Sequence, residues 1–351
     1  VNPTLEETVS KEDGYLNFWD LISKLSLYFL EFLFLIFFLC SLIYFGSLQT
    51  INLKEINYIL ILILLCVMIS INTTYFVELL SGNIIGLHIF KLNIELKIFI
   101  LILSFYILFI SKNYFLSCLR NIDFSFYILL ILISSFFLIS SNDLLIIFIS
   151  IELISLSSYI LIGFNRNSFI SIEGSLKYFI LGGISTVFFA LGIGFIYLVF
   201  GTTDLILIKQ LILLCSIKTY TIFNFFFLGT LFICTSFFFK LGLVPFHFWL
   251  IDAYEGGNIL TTFFLIIIPK FSIFFTFFNL LFLINIHTNY LLLIIYLSLF
   301  IGTLMTYYQV KTKRFLIYSS ILHINFILFP LLNSSFIKLN FIIIFNIYLL
   351  P

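Results

Sequence analysis

FFFKLGLVPFHFWLIDAYEGG, residues 237–257, is the stretch whose reading decides the fold. Its first half extends an apolar run that begins near Ile222, and a run of roughly twenty such residues crosses the hydrocarbon core of a bilayer as a helix. Gly242 and Pro245 then follow Lys240 within five positions. Proline has no N–H to donate and clashes with the preceding turn, so the helix is expected to break there. A broken helix at membrane depth leaves carbonyls and amides that only protein or a water-filled cavity can satisfy, which is how transporters build ion sites. Here a lysine stands at the break.

Working outward, the same rarity recurs. Glu152 lies in DLLIIFISIELISLSSYILIGF (143–164), about eight residues and on the order of 12 Å into its span at 1.5 Å per residue. Lys270 follows Pro269 in TTFFLIIIPKFSIFF (261–275), and Lys177 stands near the start of another span in EGSLKYFILGG (173–183). A charge at the bilayer centre costs about 2.5–3.5 kcal/mol on insertion scales, so these groups imply ion or proton handling. His247, just past the break, and His323, within KRFLIYSSILHINFI (313–327), are side chains suited to passing protons near neutrality. Each has a plainer reading as well. Glu152 can sit neutral among Ser150, Ser155 and Ser157, the lysines can reach an interface along their flexible stems, and the histidines can serve as neutral hydrogen-bonding groups. Glu31 and Glu78, near span ends, fit contact with headgroups or a neighbouring subunit.

Composition agrees with a polytopic membrane protein: 62% of residues are apolar and 9% charged, and the mean hydropathy is +1.24. The runs are too long and too continuous for the alternating strands of a membrane barrel. Reading them against the bilayer gives about eleven candidate spans, starting near Leu25, Asn57, Ile98, Ile122, Leu144, Gly174, Ile222, Leu260, Tyr290, Phe315 and Phe336. The stretches 81–97 and 201–221 are longer connections, each able to hold a short interfacial helix or hairpin. Lys and Arg slightly favour the loops after odd-numbered spans, which turns the N-terminus outward. The opening VNPTLEETVSKEDGYLNFWD reads as a polar surface tail without the pattern of a cleavable signal.

Cys40, Cys66, Cys118, Cys215 and Cys234 are scattered singly, without CxxC spacing, and read as small apolar fillers. No nucleotide or cluster-binding fingerprint is present, so any redox step belongs to another subunit. A net charge of +1 with no basic block argues against a nucleic-acid partner. Fifty Phe, with abundant Ile, Leu, Tyr and Asn, are what an AT-rich and plausibly organellar genome would encode.

Four blocks in order, DLLIIFISIELISLSSYILIGF, EGSLKYFILGGISTVFFALGIGFIYLVFGTTDL, FKLGLVPFHFWLIDAYEGG and KRFLIYSSILHINFI, together resemble NADH:ubiquinone oxidoreductase chain 2, the antiporter-like membrane subunit of respiratory complex I. The SLKYFILG block favours chain 2 over the related chains 4 and 5. The resemblance covers about Asn142 to Phe326. It implies an all-α antiporter-like fold with a broken seventh helix, built from five-helix units of inverted topology. It also implies a proton-translocating line in which Glu152, Lys177, Lys240 and Lys270 match the family's charged positions and His323 the histidine after YSSI. NADH, FMN, iron–sulfur clusters and ubiquinone are then held by other subunits, and none by this chain.

On that pattern, 1–24 is a polar tail, 25–121 holds three transmembrane helices, 122–284 is the first five-helix unit and 285–351 a partial second one. The family pattern runs on beyond Pro351, so the second inverted repeat is incomplete and a separate polypeptide is expected to supply the remaining helices. Further expected partners are the other membrane-arm subunits of complex I and the lipids of the mitochondrial inner membrane. Ile251, Gly256 to Asn258 and Asn325 depart from the family's usual residues and put local loop conformation in question. Mechanistically, a change originating at the quinone site would alter the pairing of Glu152 with Lys177 and Lys240 and move a proton toward or from Lys270. Two rival readings are a subunit of a multisubunit cation/proton antiporter, and a scaffold whose charges merely clamp its neighbours.

Overall fold

A computed structural model describes residues 95–104, 106–107, 121–165, 167–214, 220–284 and 288–329. The polar tail, the first two expected spans, the eleventh span, and Cys40, Cys66, Cys118 and Cys215 lie outside these residues. Residues 95–104 are helical and belong to one compact unit; the chain from Asp123 onward belongs to a second.

The second unit carries helices α1 (Asn121–Ser140), α2 (Leu144–Ile162), α3 (Phe169–Phe200), α4 (Leu205–Leu214), α5 (Tyr220–Leu241), α6 (Phe248–Gly256), α7 (Ile259–Ile284), α8 (Thr288–Tyr307) and α9 (Thr312–Leu328). Regular structure among the described residues is otherwise confined to one isolated backbone bridge, between Asp143 and Asp204. Leu144–Ile162, Phe169–Phe200, Asn224–Leu241 and Ile259–Leu281 are long and apolar enough to cross a membrane. The helix starts fall within a few residues of the expected spans, the largest difference being α3, which begins at Phe169 and not near Gly174. Short α4 occupies the 201–221 connection.

At the loop side of α2 and α4, two aspartates do the same work. Asp143 Oδ1 accepts from the Leu145 amide at 3.1 Å, and Asp204 Oδ1 accepts from the Ile206 amide at 2.9 Å. Each satisfies an amide that a helix start leaves unpaired. The two turns are stitched together by Leu144 N to Thr203 O (3.1 Å) and Leu205 N to Asn142 O (3.0 Å).

Helices α3 and α5 form the closest pair. Gly192 and Gly229 let their backbones meet: a Cβ at Gly192 would lie 2.9 Å from the Gly229 carbonyl oxygen and 2.6 Å from Ile233 Cγ1. Small residues at such crossings permit the packing on which helix association in lipid depends. Alongside runs a ladder of rings, Phe225, Phe195, Phe232, Phe188, Phe239 and Phe246, stacked except for the tilted Phe188–Phe239 pair, with successive centroids 6.1, 5.8, 5.9, 6.2 and 4.2 Å apart. The α5 members recur every seven residues, two helical turns, which keeps them on one face. Each such pair is worth about 0.5–1.5 kcal/mol beyond burial.

The break expected after Lys240 is present and has a definite form. Gly242 adopts φ +73°, its amide donates to Phe239 O at 3.1 Å and to Phe238 O at 3.0 Å, and the Leu243 amide reaches Phe238 O at 3.0 Å. This is a Schellman cap, which needs a left-handed residue and hence favours glycine. Phe246 N to Leu243 O (2.7 Å) closes a further turn before α6 begins. Ile251 and Asn325 were expected to bear on loop conformation; the structure places both inside helices, α6 and α9. Asn325 is fully buried, accepting from Ser298 Oγ at 2.6 Å and donating to Ile321 O at 3.0 Å. An amide that bridges two helices and bonds its own backbone can stay within a helix.

Candidate functional site

Lys240 occupies the last turn of α5 and is buried, with an Nζ that makes no hydrogen bond. The helix C-terminus presents partial negative charge to it. Gly182 of α3 leaves room beside the ammonium, since a Cβ there would stand 3.9 Å from Nζ. Glu152, half-buried on α2, is the carboxylate whose field reaches Lys240. Ser155 Oγ donates to Glu152 Oε2 at 3.3 Å, whereas the Ser150 and Ser157 hydroxyls donate to backbone carbonyls of their own helix. Of the three serines expected around the carboxylate, one contacts it.

Lys270 is buried in α7, one residue past Pro269, and donates to Ser320 Oγ of α9 at 2.8 Å. Its Nζ lies 5.6 Å from the centre of the Tyr254 ring, a cation–π contact. Tyr254 in turn donates to Leu265 O at 3.2 Å and lies within electrostatic reach of Tyr178. Tyr178 lies within electrostatic reach of Ser158 and Glu152. A row of polar groups, Glu152, Tyr178, Tyr254, Lys270 and Ser320, therefore threads an otherwise apolar interior. Tyr178, Tyr254 and Ser320 were not singled out from sequence, because tyrosine and serine are common throughout the chain and nothing local marks these three.

His247 is buried in the turn before α6. The Pro245 carbonyl is close enough to interact, but neither ring nitrogen has a well-formed hydrogen bond. Its ring lies 6.2 Å from that of Tyr318, which ties the break toward α9. His323 is on α9 but exposed, so the structure does not bring it to the row formed by the others. Lys177 also differs from expectation. Its Nζ pairs with Glu173 Oε1 and Asp252 Oδ2, both at 2.7 Å, and not with Glu152. Among the described residues no group of three or more His, Cys, Asp and Glu is gathered to hold a metal.

At its far end α6 is clamped by the α8–α9 connection. Lys311 Nζ donates to Glu255 Oε1 at 2.6 Å, Arg314 Nε donates to Glu255 Oε2, and Lys313 Nζ donates to Gly257 O at 3.0 Å. Glu255 lies outside the membrane-spanning helices. Burial alone would push its carboxyl up, but the bonds from Lys311 and Arg314 outweigh that and hold it below the usual carboxylate range. A carboxyl with lowered proton affinity in the folded state stabilises the clamp at and above its ordinary range, and the contribution is lost as pH falls through the lowered value. Acidification below about pH 4 should therefore lower the amide protection factors, exchange being taken relative to the intrinsic rate at the same pH, at residues 311–314, the ordinary carboxylate value being roughly 4.3. Glu255→Gln should exchange fast at neutral pH and lose the acid response.

Comparison with known proteins finds relatives by sequence and by fold. Chains named NADH-quinone oxidoreductase subunit N are similar: one from Thermodesulfovibrio yellowstonii is 36% identical over 232 residues, covering 65% of this chain and 50% of that protein. One from Aquifex aeolicus is 33% identical over 283 residues, covering 78% and 58%. The chain thus spans about half the length of the curated relatives it matches. In fold it is similar to a chain of respiratory complex I from Thermus thermophilus, with a TM-score of 0.69 at 21% identity, covering 88% of this chain and 66% of that one. It is likewise similar to a chain of an archaeal membrane-bound sulfane sulfur reductase, with a TM-score of 0.70 at 23% identity, covering 85% and 63%. The family model described as NADH:quinone oxidoreductase/Mrp antiporter, transmembrane, matches residues 141–350. With more than half of its length in that match, this multi-pass membrane protein belongs to the NADH:quinone oxidoreductase/Mrp antiporter transmembrane family.

Proposed function

We propose that the chain is a proton-translocating membrane-arm subunit of an NADH:quinone oxidoreductase, working beside other membrane-arm subunits. The observation that carries this is the pair of buried lysines, Lys240 at the helix break and Lys270 beyond it, with Glu152 and two tyrosines disposed along the same interior. An ammonium out of water is held charged only while an opposite charge or a dipole is near. Moving Glu152 or the α6 half-helix relative to Lys240 would therefore decide whether a proton stays or passes on. One pKa unit corresponds to about 1.4 kcal/mol, so making or breaking one buried pair is enough to invert occupancy.

On this reading the chain takes part in the oxidoreductase without holding its redox groups; nicotinamide, flavin, iron–sulfur and quinone chemistry is assigned to other subunits. Residence in a mitochondrial inner membrane is proposed on the AT-type composition alone.

The test is proton pumping per NADH oxidised in membranes carrying Lys270→Met, alongside assembly of the complex on a native gel. A clear fall in pumping with normal assembly is expected. Unchanged pumping would reduce the chain to a scaffold, and sodium-dependent transport in proteoliposomes would favour a cation/proton antiporter instead.

A further inference from the structure

Asp252 sits on α6, the half-helix that follows the break, and its Oδ2 accepts from Lys177 Nζ at 2.7 Å. The same ammonium touches Glu173 one turn back on α3, also at 2.7 Å. Lys177 thus has one carboxylate fixed to its own helix and one carried by a separate element.

The seat of Asp252 is set by backbone contact. A Cβ at Gly174 would lie 2.9 Å from the Asp252 carbonyl oxygen, and one at Gly256 would lie 2.7 Å from the Ile170 carbonyl oxygen. The first turns of α3 and the length of α6 are therefore pressed together with no side chain between them. Gly174 is one turn from Lys177, so the carboxylate is delivered to the ammonium by where α6 lies. Both side chains are nearly half exposed, 41% and 46%, and pairs of that kind are weak and readily exchanged.

We infer that Asp252 is a positioning residue: it ties the Lys177 ammonium to α6, so that a displacement of α6 leaves Lys177 with Glu173 as its carboxylate partner. The inference rests on the proton-translocation reading and adds the residue that links the helix break to Lys177. Helix α6 is attached through the turn at Gly242–His247, so a change at the break that bears Lys240 reaches Lys177 through Asp252.

The test uses the assembled complex in membranes and compares Asp252→Asn, Asp252→Glu, Lys177→Met and the double variant Asp252→Asn/Lys177→Met. Asp252→Asn is expected to lower proton pumping per NADH several-fold with normal assembly and an unchanged KM for quinone. Asp252→Glu should restore most of it, and Asp252→Asn should add no further loss in the Lys177→Met background. Native pumping in Asp252→Asn, or an additive loss in the double variant, overturns the inference. Should Asp252→Asn fail to assemble, Glu173→Gln decides: pumping persists if Asp252 is the partner that matters, and its loss would move the role to Glu173. If Lys177→Met and Lys270→Met both pump normally, the translocation reading falls as well. If those two fail to pump and Asp252→Asn does not, only the role of Asp252 falls.

Discussion

Replacing Lys240 by alanine should lower coupled NADH oxidation by roughly tenfold or more, equivalent to about 1.4 kcal/mol in the barrier, while the complex still assembles. The two halves of that expectation have different origins. Functionally, Lys240 is the cation at the helix break, next to the space above Gly182 and within the field of Glu152. Removing it leaves Glu152 without the cation that its field reaches. Structurally, its Nζ has no hydrogen bond to lose. An unpaired buried ammonium is penalised by several kcal/mol, so its deletion removes a destabilising group and offsets the cavity left by the stem. Native-gel assembly and proton pumping, measured on the same membranes, separate the two. Lost assembly would make Lys240 a structural residue, and intact pumping would exclude it from the proton path.

The second large effect concerns the break itself. Gly242→Val should prevent accumulation of the assembled complex. A β-branched residue at φ +73° is strained by about 1–3 kcal/mol. Its Cβ would also stand 2.5 Å from Leu250 Cδ1, an overpacking penalty of about 1–3 kcal/mol. Gly242→Ala should fall between, and Leu250→Val introduced with it, a smaller truncation of a fully buried side chain, should recover part of the loss due to the clash but not the part due to φ. The level of assembled complex in the three variants measures these contributions. A fully assembled Gly242→Val complex would mean that the Schellman cap is dispensable.

Spans, the break and the depth of Lys240 and Lys270 were legible because apolar run length and the positions of Gly242 and Pro245 are written in the chain. Rotation of each helix about its axis was not. Helix α2 is apolar on every side, so the pattern that marks a buried face in a water-soluble protein is missing, and Glu152 gave a depth but no direction. His323 shows the consequence: correctly placed along α9, it faces outward. Lys177 failed for another reason. Its partner Asp252 is 75 positions away and arrives only because Gly174 and Gly256 let α3 and α6 touch, a relation no local window contains. Asn325 is the reverse case, an amide that in sequence suggests a loop and in the fold bridges α8 to α9.

The ring ladder along α3 and α5 has a kinematic consequence. Sliding either helix by one residue would offset every stacked pair between them, so the two translate together as one body. The ladder ends on Phe246, past the cap, and so fixes the origin of α6. What remains to α6 is a small rotation about that pivot, which would carry the Glu255 clamp and the start of α9 with it. Asp252 lies about 9 Å along the axis from it at 1.5 Å per residue, so a swing of about ten degrees would carry its carboxylate on the order of 1.5 Å. That arc is enough to take a 2.7 Å contact with Lys177 out of hydrogen-bonding range while every ring in the ladder keeps its neighbour.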